Sequence, residues 1–422
     1  MKKSALAVAL ATLAAGTATA GAKDYKSATP VSVISAEEIQ NMEMPSQAEM
    51  WRIIQQQQGE ILRLRGVQQQ TDAKVEATAD AIDNSNLASV AEWVNDTSFG
   101  GYGELHYNNL DDKNGSSDKD ELDLHRFVLF FGHEFTDDVR FFSEFEIEHS
   151  LAGDGKPGEV EVEQAYIEWD YAENHSAKAG VFLIPVGILN ETHEPDTFYG
   201  TERNPVEKNI IPTTWWEGGI SSSGIIAEGW SYDVALHSGL EIEAGDFKVR
   251  DGRQKVAEAN ADNGAVTARV KYTGIEGLEL AATVQHQTDV TQNLAASNVD
   301  ANLFEAHATY QNGPFQLRAL YAMWDLDEGI NAHGSTTGAD EQEGFYIEPS
   351  YKLTEKLGIF ARYNEWDNQA GDSADSEYQQ IDVGLNYWLT PTVVFKADYQ
   401  DQDVPTGETE LDGLNLGVGW SF

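Results

Sequence analysis

Cysteine is absent from the 422 residues, which excludes a disulfide scaffold, a thiolate metal site and a thiol nucleophile. Basic side chains are scarce: 27 Lys and Arg stand against 71 Asp and Glu, a formal charge of −44. So acidic a chain repels phosphate backbones, and no nucleic-acid partner is expected. Long apolar runs are also missing. Past the N-terminus no segment reaches the roughly 18 consecutive apolar residues that would mark a membrane-spanning helix. Acidic disorder does not describe the chain either, since aromatics make up 10% of it. A soluble protein, a surface-anchored protein or a transmembrane β-barrel remain. Only the barrel can cross a bilayer while escaping a hydropathy scan, because only every second residue need be apolar.

The N-terminus gives the address. Lys2 and Lys3 precede a short apolar stretch from Ser4 to Ala15, and Ala18-Thr19-Ala20 supplies a small-x-small cleavage site before Gly21. Residues 1–20 are therefore expected to be a secretory signal peptide, too short in its apolar run to anchor. A linker over 21–34 follows. Residues 35–84 then carry a helical period: Ser35 and Glu38 form a capping box, and Ile54, Ile61, Gln68, Val75 and Ile82 recur every seven residues. Met50, Gln57, Leu64, Thr71 and Thr78 fill the companion positions. This heptad pattern predicts a periplasmic coiled coil with a partly polar seam. A helix packed on the rest of the chain and a plain spacer are the alternatives, and Gly59 and Gly66 weaken any helix.

After a second linker over 85–97 the period changes to two. On the last segment Leu414, Leu416, Val418, Trp420 and Phe422 share one face, and Asn415, Gly417, Gly419 and Ser421 the other. The same alternation recurs at 381–387, 393–399, 315–323 and 266–272. A soluble sandwich also alternates, but two features favour a barrel. Aromatics such as Tyr272, Tyr363, Tyr387, Tyr399 and Trp420 sit near segment ends on the apolar face, as a membrane girdle requires. Connections also alternate between tight and long. Tight turns are expected near 136–137, 172–173, 223–224, 274–275, 312–313, 354–355 and 390–391. Long connections are expected at 109–119, 150–158, 185–212, 238–262, 288–301, 326–343, 367–376 and 402–409. The fold class is thus all-β: a sixteen-stranded antiparallel transmembrane barrel over 98–422 behind an α-helical coiled-coil segment, with the tight turns and both barrel termini on the periplasmic side. Strand starts fall near 98, 120, 138, 160, 174, 213, 227, 264, 277, 302, 314, 344, 356, 377, 391 and 410. One misfit stands out. Val160 and Val162 have the opposite parity to Ala165, Ile167, Trp169 and Tyr171, which a β-bulge or a strand end above the lipid would explain.

Sixteen strands leave a lumen that side chains cannot fill. The third long connection, 185–212, mixes apolar anchors (Ile188, Leu189, Phe198, Tyr199, Ile210, Ile211) with charges, and is expected to fold back against the wall as a constriction. Its candidate constriction residues are Glu191, Glu194, Asp196, Glu202, Arg203 and Lys208. An external lid is the alternative. Arg126, Arg140, Arg269, Arg318 and Arg362 are candidate pore-lining bases, with Lys178, Lys271 and Lys396 on the same inward face. The expectation is a transverse field, with Arg126, Arg140, Arg318 and Arg362 facing the acidic third loop; internal ion pairing of a solvated wall is the plainer alternative. His106, His125, His133, His149 and His193 do not show a metal-ligand spacing, and neither metal nor cofactor is expected. Acidic runs at Asp111-Asp112 and Asp118–Asp123 are candidates for binding calcium or bridging lipopolysaccharide through divalent ions, with a solvated loop as the plainer alternative. No catalytic motif is readable, so an enzyme is not expected.

The terminal Trp420-Ser421-Phe422 resembles the outer-membrane insertion signal of bacterial porins. EVEQAYIEWDY at 161–171, followed by AKAGVFLIPVGILNETHEPDTFYGTERN at 177–204, resembles the phosphate-selective porin O and P family. That resemblance covers 98–422 and implies a homotrimeric sixteen-stranded porin in a Gram-negative outer membrane, in contact with lipid and lipopolysaccharide and passing small ions and solutes. In that family phosphate selectivity depends on luminal arginines and a lysine cluster. Here the acidity of the chain and of the third loop points instead to a general or weakly cation-selective channel, with phosphate or another anion as the alternative. A structural protein tethering the envelope to peptidoglycan through the coiled coil is the competing class.

Overall fold

A computed structural model of the protein describes residues 47–83, 93–115, 117–243, 248–295, 297–327, 330 and 338–422. The signal peptide, the Ser35–Glu38 capping box, the linker over 21–34 and most of the second linker lie outside the described residues. The chain divides into two compact units, Met1–Leu87 and Ala88–Phe422.

In the first unit, helix α1 spans Gln47–Asp83. It runs through Gly59 and Gly66, and among the described residues nothing approaches within 4 Å of where a side chain would stand on either. The heptad positions Gln57, Ile61, Leu64, Gln68, Thr71 and Val75 are all exposed.

The second unit is a closed barrel of sixteen strands, each hydrogen-bonded to its sequence neighbours, with β1 closing on β16. The strands are β1 Thr97–Asp112, β2 Lys119–Thr136, β3 Val139–Glu148, β4 Val160–Ala172, β5 His175–Leu183, β6 Trp216–Ala227, β7 Trp230–His237, β8 Ala265–Ile275, β9 Leu278–Gln287, β10 Ala301–Asn312, β11 Phe315–Leu326, β12 Glu341–Lys352, β13 Leu357–Asp367, β14 Tyr378–Thr390, β15 Val393–Asp403 and β16 Leu411–Ser421. All pairings are antiparallel. Phe422 exchanges both backbone hydrogen bonds with Gly101 at the seam.

Burial is inverted relative to a soluble protein. Val266, Val284, Phe304, Ile347, Ile381, Val383, Leu414 and Leu416 are exposed, whereas Glu104, Arg126, Glu144, Glu305, Arg362 and Asp382 are buried. Greasy side chains outward and charged ones inward is the arrangement lipid demands. Exposed Trp169, Tyr171, Trp230, Tyr351, Tyr387 and Phe422 stand beside the tight turns or the chain end, forming an aromatic belt on that rim.

The tight turns occupy 137–138, 173–174, 228–229, 276–277, 313–314, 353–356 and 391–392. One differs clearly from expectation: Ser223 and Gly224 lie inside β6, and the turn falls at Glu228-Gly229. The serines of β6 are ladder residues there, hydrogen-bonded across to β5 and β7. Gly277 has φ +76°, and a Cβ there would stand 2.1 Å from the carbonyl oxygen of Gln311, so only glycine fits.

Two bulges away from the tight turns distort the first quarter of the barrel. In the β3–β4 ladder Glu144 pairs with Gln164 and Phe145 with Val162, leaving Glu163 as the extra residue. This accounts for the parity change along β4. In the β1–β2 ladder Glu104 pairs with Arg126 and Leu105 with Leu124, leaving His125 as the extra residue.

Candidate functional site in the barrel lumen

The third long connection, between Leu183 and Trp216, is folded on the inner wall. Its own sequence ties it first. The Asn190 side chain donates to the carbonyls of Ile184 (2.8 Å) and Trp215 (2.9 Å) and accepts from the Trp215 amide (2.7 Å). Glu207 accepts from the amides of Ile188 (2.6 Å) and Leu189 (2.7 Å), from Asn204 Nδ2 (2.9 Å) and from the Tyr346 hydroxyl (3.0 Å). Helix α2, Val206–Asn209, starts there, with the Glu207 amide donating to Asn204 Oδ1. Leu189, Phe198, Tyr199, Ile210 and Ile211 are buried.

The wall then clamps the loop backbone. Arg126 donates to the carbonyl of His193 (2.9 Å), Arg318 to that of Thr197 (2.9 Å) and Asn386 to that of Phe198 (2.9 Å). Arg362 reaches the carbonyls of Tyr199 and Glu202 at 3.4 Å each. Trp324 donates to Ile210 (2.9 Å), and the Thr201 amide donates to Asp398 (2.6 Å). Buried carbonyls need donors, and an irregular loop away from bulk water cannot supply them all itself.

The candidate bases therefore touch the loop differently from the expectation. Arg126 pairs with Glu104 (2.7 Å), and Arg362 with Glu348 (3.1 Å) and Asp382 (3.0 Å); towards the loop both offer donors to carbonyls, not to acids. Arg269 alone of the five meets a loop carboxylate, Glu191, while also pairing with Asp233 (2.8 Å). Arg140 does not reach the loop. It is held near the 137–138 turn by Glu168 (3.1 Å) and Asp170 (2.8 Å). Lys178 lies over the Tyr166 ring and Lys396 over the Phe198 ring, while Lys271 is 3.6 Å from Glu279.

The loop acids are likewise separated. Glu202 accepts from Asn108 (3.2 Å) and meets His106 (3.0 Å). Asp196 accepts from Ser421 (2.7 Å). Glu194 caps a turn through its backbone carbonyl, which accepts from the Thr197 amide (3.0 Å).

Comparison with known proteins follows this geometry. A family model described as Gram-negative porin matches residues 77–406. The chain belongs to this family. The porin is also 33% identical over 354 residues to an uncharacterized protein of Aquifex aeolicus, covering 77% of this chain and 80% of that one. Among solved structures it resembles an anion-selective porin from Comamonas acidovorans (12% identity, TM-score 0.56, covering 77% of this chain and 99% of that one). It also resembles Salmonella typhi OmpF in complex with daunomycin (15%, 0.55, 77% and 97%) and the outer membrane channel DcaP of Acinetobacter baumannii (14%, 0.54, 77% and 97%). At these identities the solved structures establish the fold alone. The protein is an outer-membrane channel.

In this porin Arg318 of β11 has no ion-pair partner among the described residues, and a group of bases in the long connections shares that state. Arg203 donates to Thr214 Oγ1 (2.8 Å), Arg253 to the Thr214 carbonyl (2.6 Å) and Arg250 to the Thr213 carbonyl. Lys208 is next to them, its own carbonyl accepting from Arg250 (3.4 Å). Among the described residues none of these four bases has an ion-pair partner. Burial, then repulsion from a neighbouring guanidinium, lowers the pKa of both Arg250 and Arg253. Arg250 and Arg253 come from the fourth long connection and were not among the candidates. Their signal was a run of three bases within six residues, Arg250 to Lys255, in an otherwise acidic chain.

Proposed function

We propose that the protein is a passive diffusion channel for small hydrophilic solutes and ions, and not an enzyme. In this reading the third loop sets the narrowest section, and the net preference is weakly for cations. The observation that supports it is that the loop carbonyls are held by luminal donors from β2, β11, β13 and β14, as a loop folded into the barrel requires. The cluster of Arg203, Lys208, Arg250 and Arg253 stands on one side of the path. Glu148, Glu161 and Glu163 of β3 and β4 are the carboxylates whose charge acts on Arg253. Opposed fixed charges in a narrow passage sort ions laterally. The strong acidity of the whole chain then tips the balance toward cations.

Planar-bilayer reversal potentials in a KCl gradient test this. Wild type is expected to favour K⁺ modestly. Arg203, Arg250 and Arg253 replaced together by Ala should raise the K⁺/Cl⁻ permeability ratio about threefold or more, and Glu148→Gln with Glu161→Gln should lower it. Shortening the loop between Thr192 and Glu202 should raise single-channel conductance. Unchanged selectivity and conductance in all three would remove the loop and its charges from the conducting path.

Assembly as a homotrimer is part of the same proposal. β7 has 8 residues and β5 has 9, at or below the roughly 9–11 residues a spanning strand needs. A short wall of this kind is suited to contact with another copy. The exposed Ile61, Leu64 and Val75 of α1 support a periplasmic coiled coil between copies, with peptidoglycan as a further partner. Unheated gel migration of the full protein, against a truncation lacking 22–95, tests it. Monomers in both would dismiss the trimer, and intact conductance with a detached envelope in the truncation would favour a tethering role for the helix.

A further inference from the structure

Beside the β4 bulge, one side chain of the third loop meets two carboxylates of the wall. His193 Nε2 lies 3.5 Å from Glu144 Oε1 and 3.6 Å from Glu163 Oε2. Ligand atoms of the three residues all fall within 4.8 Å of one another. The residues are 3%, 1% and 2% exposed. The other ring nitrogen, Nδ1, is 3.1 Å from the carbonyl oxygen of Asn190. A carbonyl only accepts, so Nδ1 carries the proton and Nε2 is the nitrogen turned toward the carboxylates. Neither His193 Nε2 nor Glu163 Oε2 has a hydrogen-bond partner among the described residues.

Two arrangements satisfy such a group: an imidazolium held between two carboxylates, or a cation held by all three. The spacing separates them. A charge-assisted N–H···O contact closes to about 2.7–2.9 Å, well short of what is seen. Zinc bonds of about 2.0–2.2 Å to nitrogen and oxygen place tetrahedral ligands about 3.3–3.6 Å apart, and both separations fall there. Octahedral ions with bonds near 2.1 Å bring neighbouring ligands to about 3.0 Å, a poorer match. The charge balance agrees. Glu146 Oε2 is also buried without a partner, and the neighbouring Arg126 is already bound to Glu104. Buried carboxylates left without a counter-charge are costly. The supporting shell is in place. Gln164 Nε2 donates to Glu144 Oε2 (2.7 Å), Tyr102 OH is 3.4 Å from Glu144 Oε1, and Arg126 fixes the His193 carbonyl (2.9 Å).

We propose that Glu144, Glu163 and His193 form a binding site for a divalent transition-metal cation, with Zn²⁺ the best fit to the donor set and spacing. Three protein ligands leave one tetrahedral corner for water. Bound there, the ion joins the loop to β3 and β4, on the side of the barrel where fewer backbone clamps hold it. This goes beyond the diffusion reading and does not depend on which ion the channel prefers. A second histidine group, His106, His125, His149, Asp123 and Glu202, serves as a control. There each carboxylate is already within 3.3 Å of a ring nitrogen, at hydrogen-bond distance and not at ligand spacing.

The test is metal retention by the full porin in detergent, stripped with EDTA, equilibrated with Zn²⁺ and desalted. Wild type is expected to keep about one Zn²⁺ per chain. Glu163→Gln and His193→Asn should each weaken binding at least tenfold, while His125→Asn leaves it unchanged. Absence of bound Zn²⁺ in wild type, or loss in His125→Asn with retention in Glu163→Gln, overturns the site. Should the two ligand variants fail to fold, Co²⁺ in the wild-type protein decides. The intense visible bands of four-coordinate Co²⁺ support the site, and the faint bands of a six-coordinate ion overturn it.

Discussion

The two sides of the barrel hold the third loop by different chemistry. From β11 to β16 the ladders across the membrane are regular, luminal side chains alternate strictly, and the loop is gripped through its main chain by Arg318, Arg362 and Asn386 and through its Thr201 amide by Asp398. From β1 to β4 two bulges break the alternation, and side chains meet side chains: His106 with Glu202, and His193 with Glu144 and Glu163. A regular ladder offers one luminal position in two, at fixed spacing. A bulge places adjacent residues on one face, such as His125 beside Arg126 or Glu163 beside Gln164, and so packs functional groups more densely than any strand can.

Several changes break or sharpen this difference. The largest effect is expected on the regular side. Arg362→Met leaves Glu348 and Asp382 buried without their shared partner and removes two loop donors. A loss of about 3–5 kcal/mol is expected, read as a lower denaturation midpoint of the refolded barrel. Glu207→Ala comes next. It strands two loop amides and the Tyr346 hydroxyl, for about 3 kcal/mol, with larger current noise in single-channel traces as a second readout. On the bulged side, deleting His125 would let Leu124 follow Arg126 in regular alternation, with Glu121 and Asp123 still luminal and Leu122 and Leu124 still outward. It removes one ring nitrogen from Asp123 and the ring stacked on His106, so the cost is expected to be about 1 kcal/mol; a loss of several kcal/mol in the unfolding midpoint would show that the bulge itself holds this stretch in place.

The smallest effect depends on pH. Hydrogen bonds from Glu161 and Lys255, then the charge of Lys255, pull the Glu159 carboxyl down to about 2. A carboxyl depressed on folding contributes stability above its ordinary value and loses it as pH falls through the folded one. Acidification from pH 5 to 2 should therefore weaken the link between the second and fourth long connections. The group is exposed, so the contribution is expected to stay below about 1 kcal/mol. Lys255→Met should remove most of this pH dependence from the unfolding midpoint.

Much of the fold was legible because lipid imposes a period. Strand starts agree with the observed ones to within about three residues, and even the β4 bulge announced itself as a parity change at Val160 and Val162. The turn misplaced at Ser223-Gly224 shows the limit: small polar residues suit a turn, but also suit the luminal face and rim of a barrel strand. The site was less legible. Arginines were expected to answer the acids of the loop, and mostly they answer its carbonyls, which no side-chain pattern reveals. Arg250 and Arg253 were overlooked because a long connection has no period to say which way it faces.

The sequence by itself determined the class of structure, the number and parity of strands and which connection would be unusual, because each is local: a bilayer rewards alternation along a strand, and turns are short or long in place. The tertiary structure alone decided which groups meet inside. Glu144, Glu163 and His193 lie on two strands and a loop. Arg203 and Arg253 are fifty residues apart and meet at Thr214. Barrel closure and the path of the folded loops set those distances, and neither is encoded in the spacing of the residues along the chain.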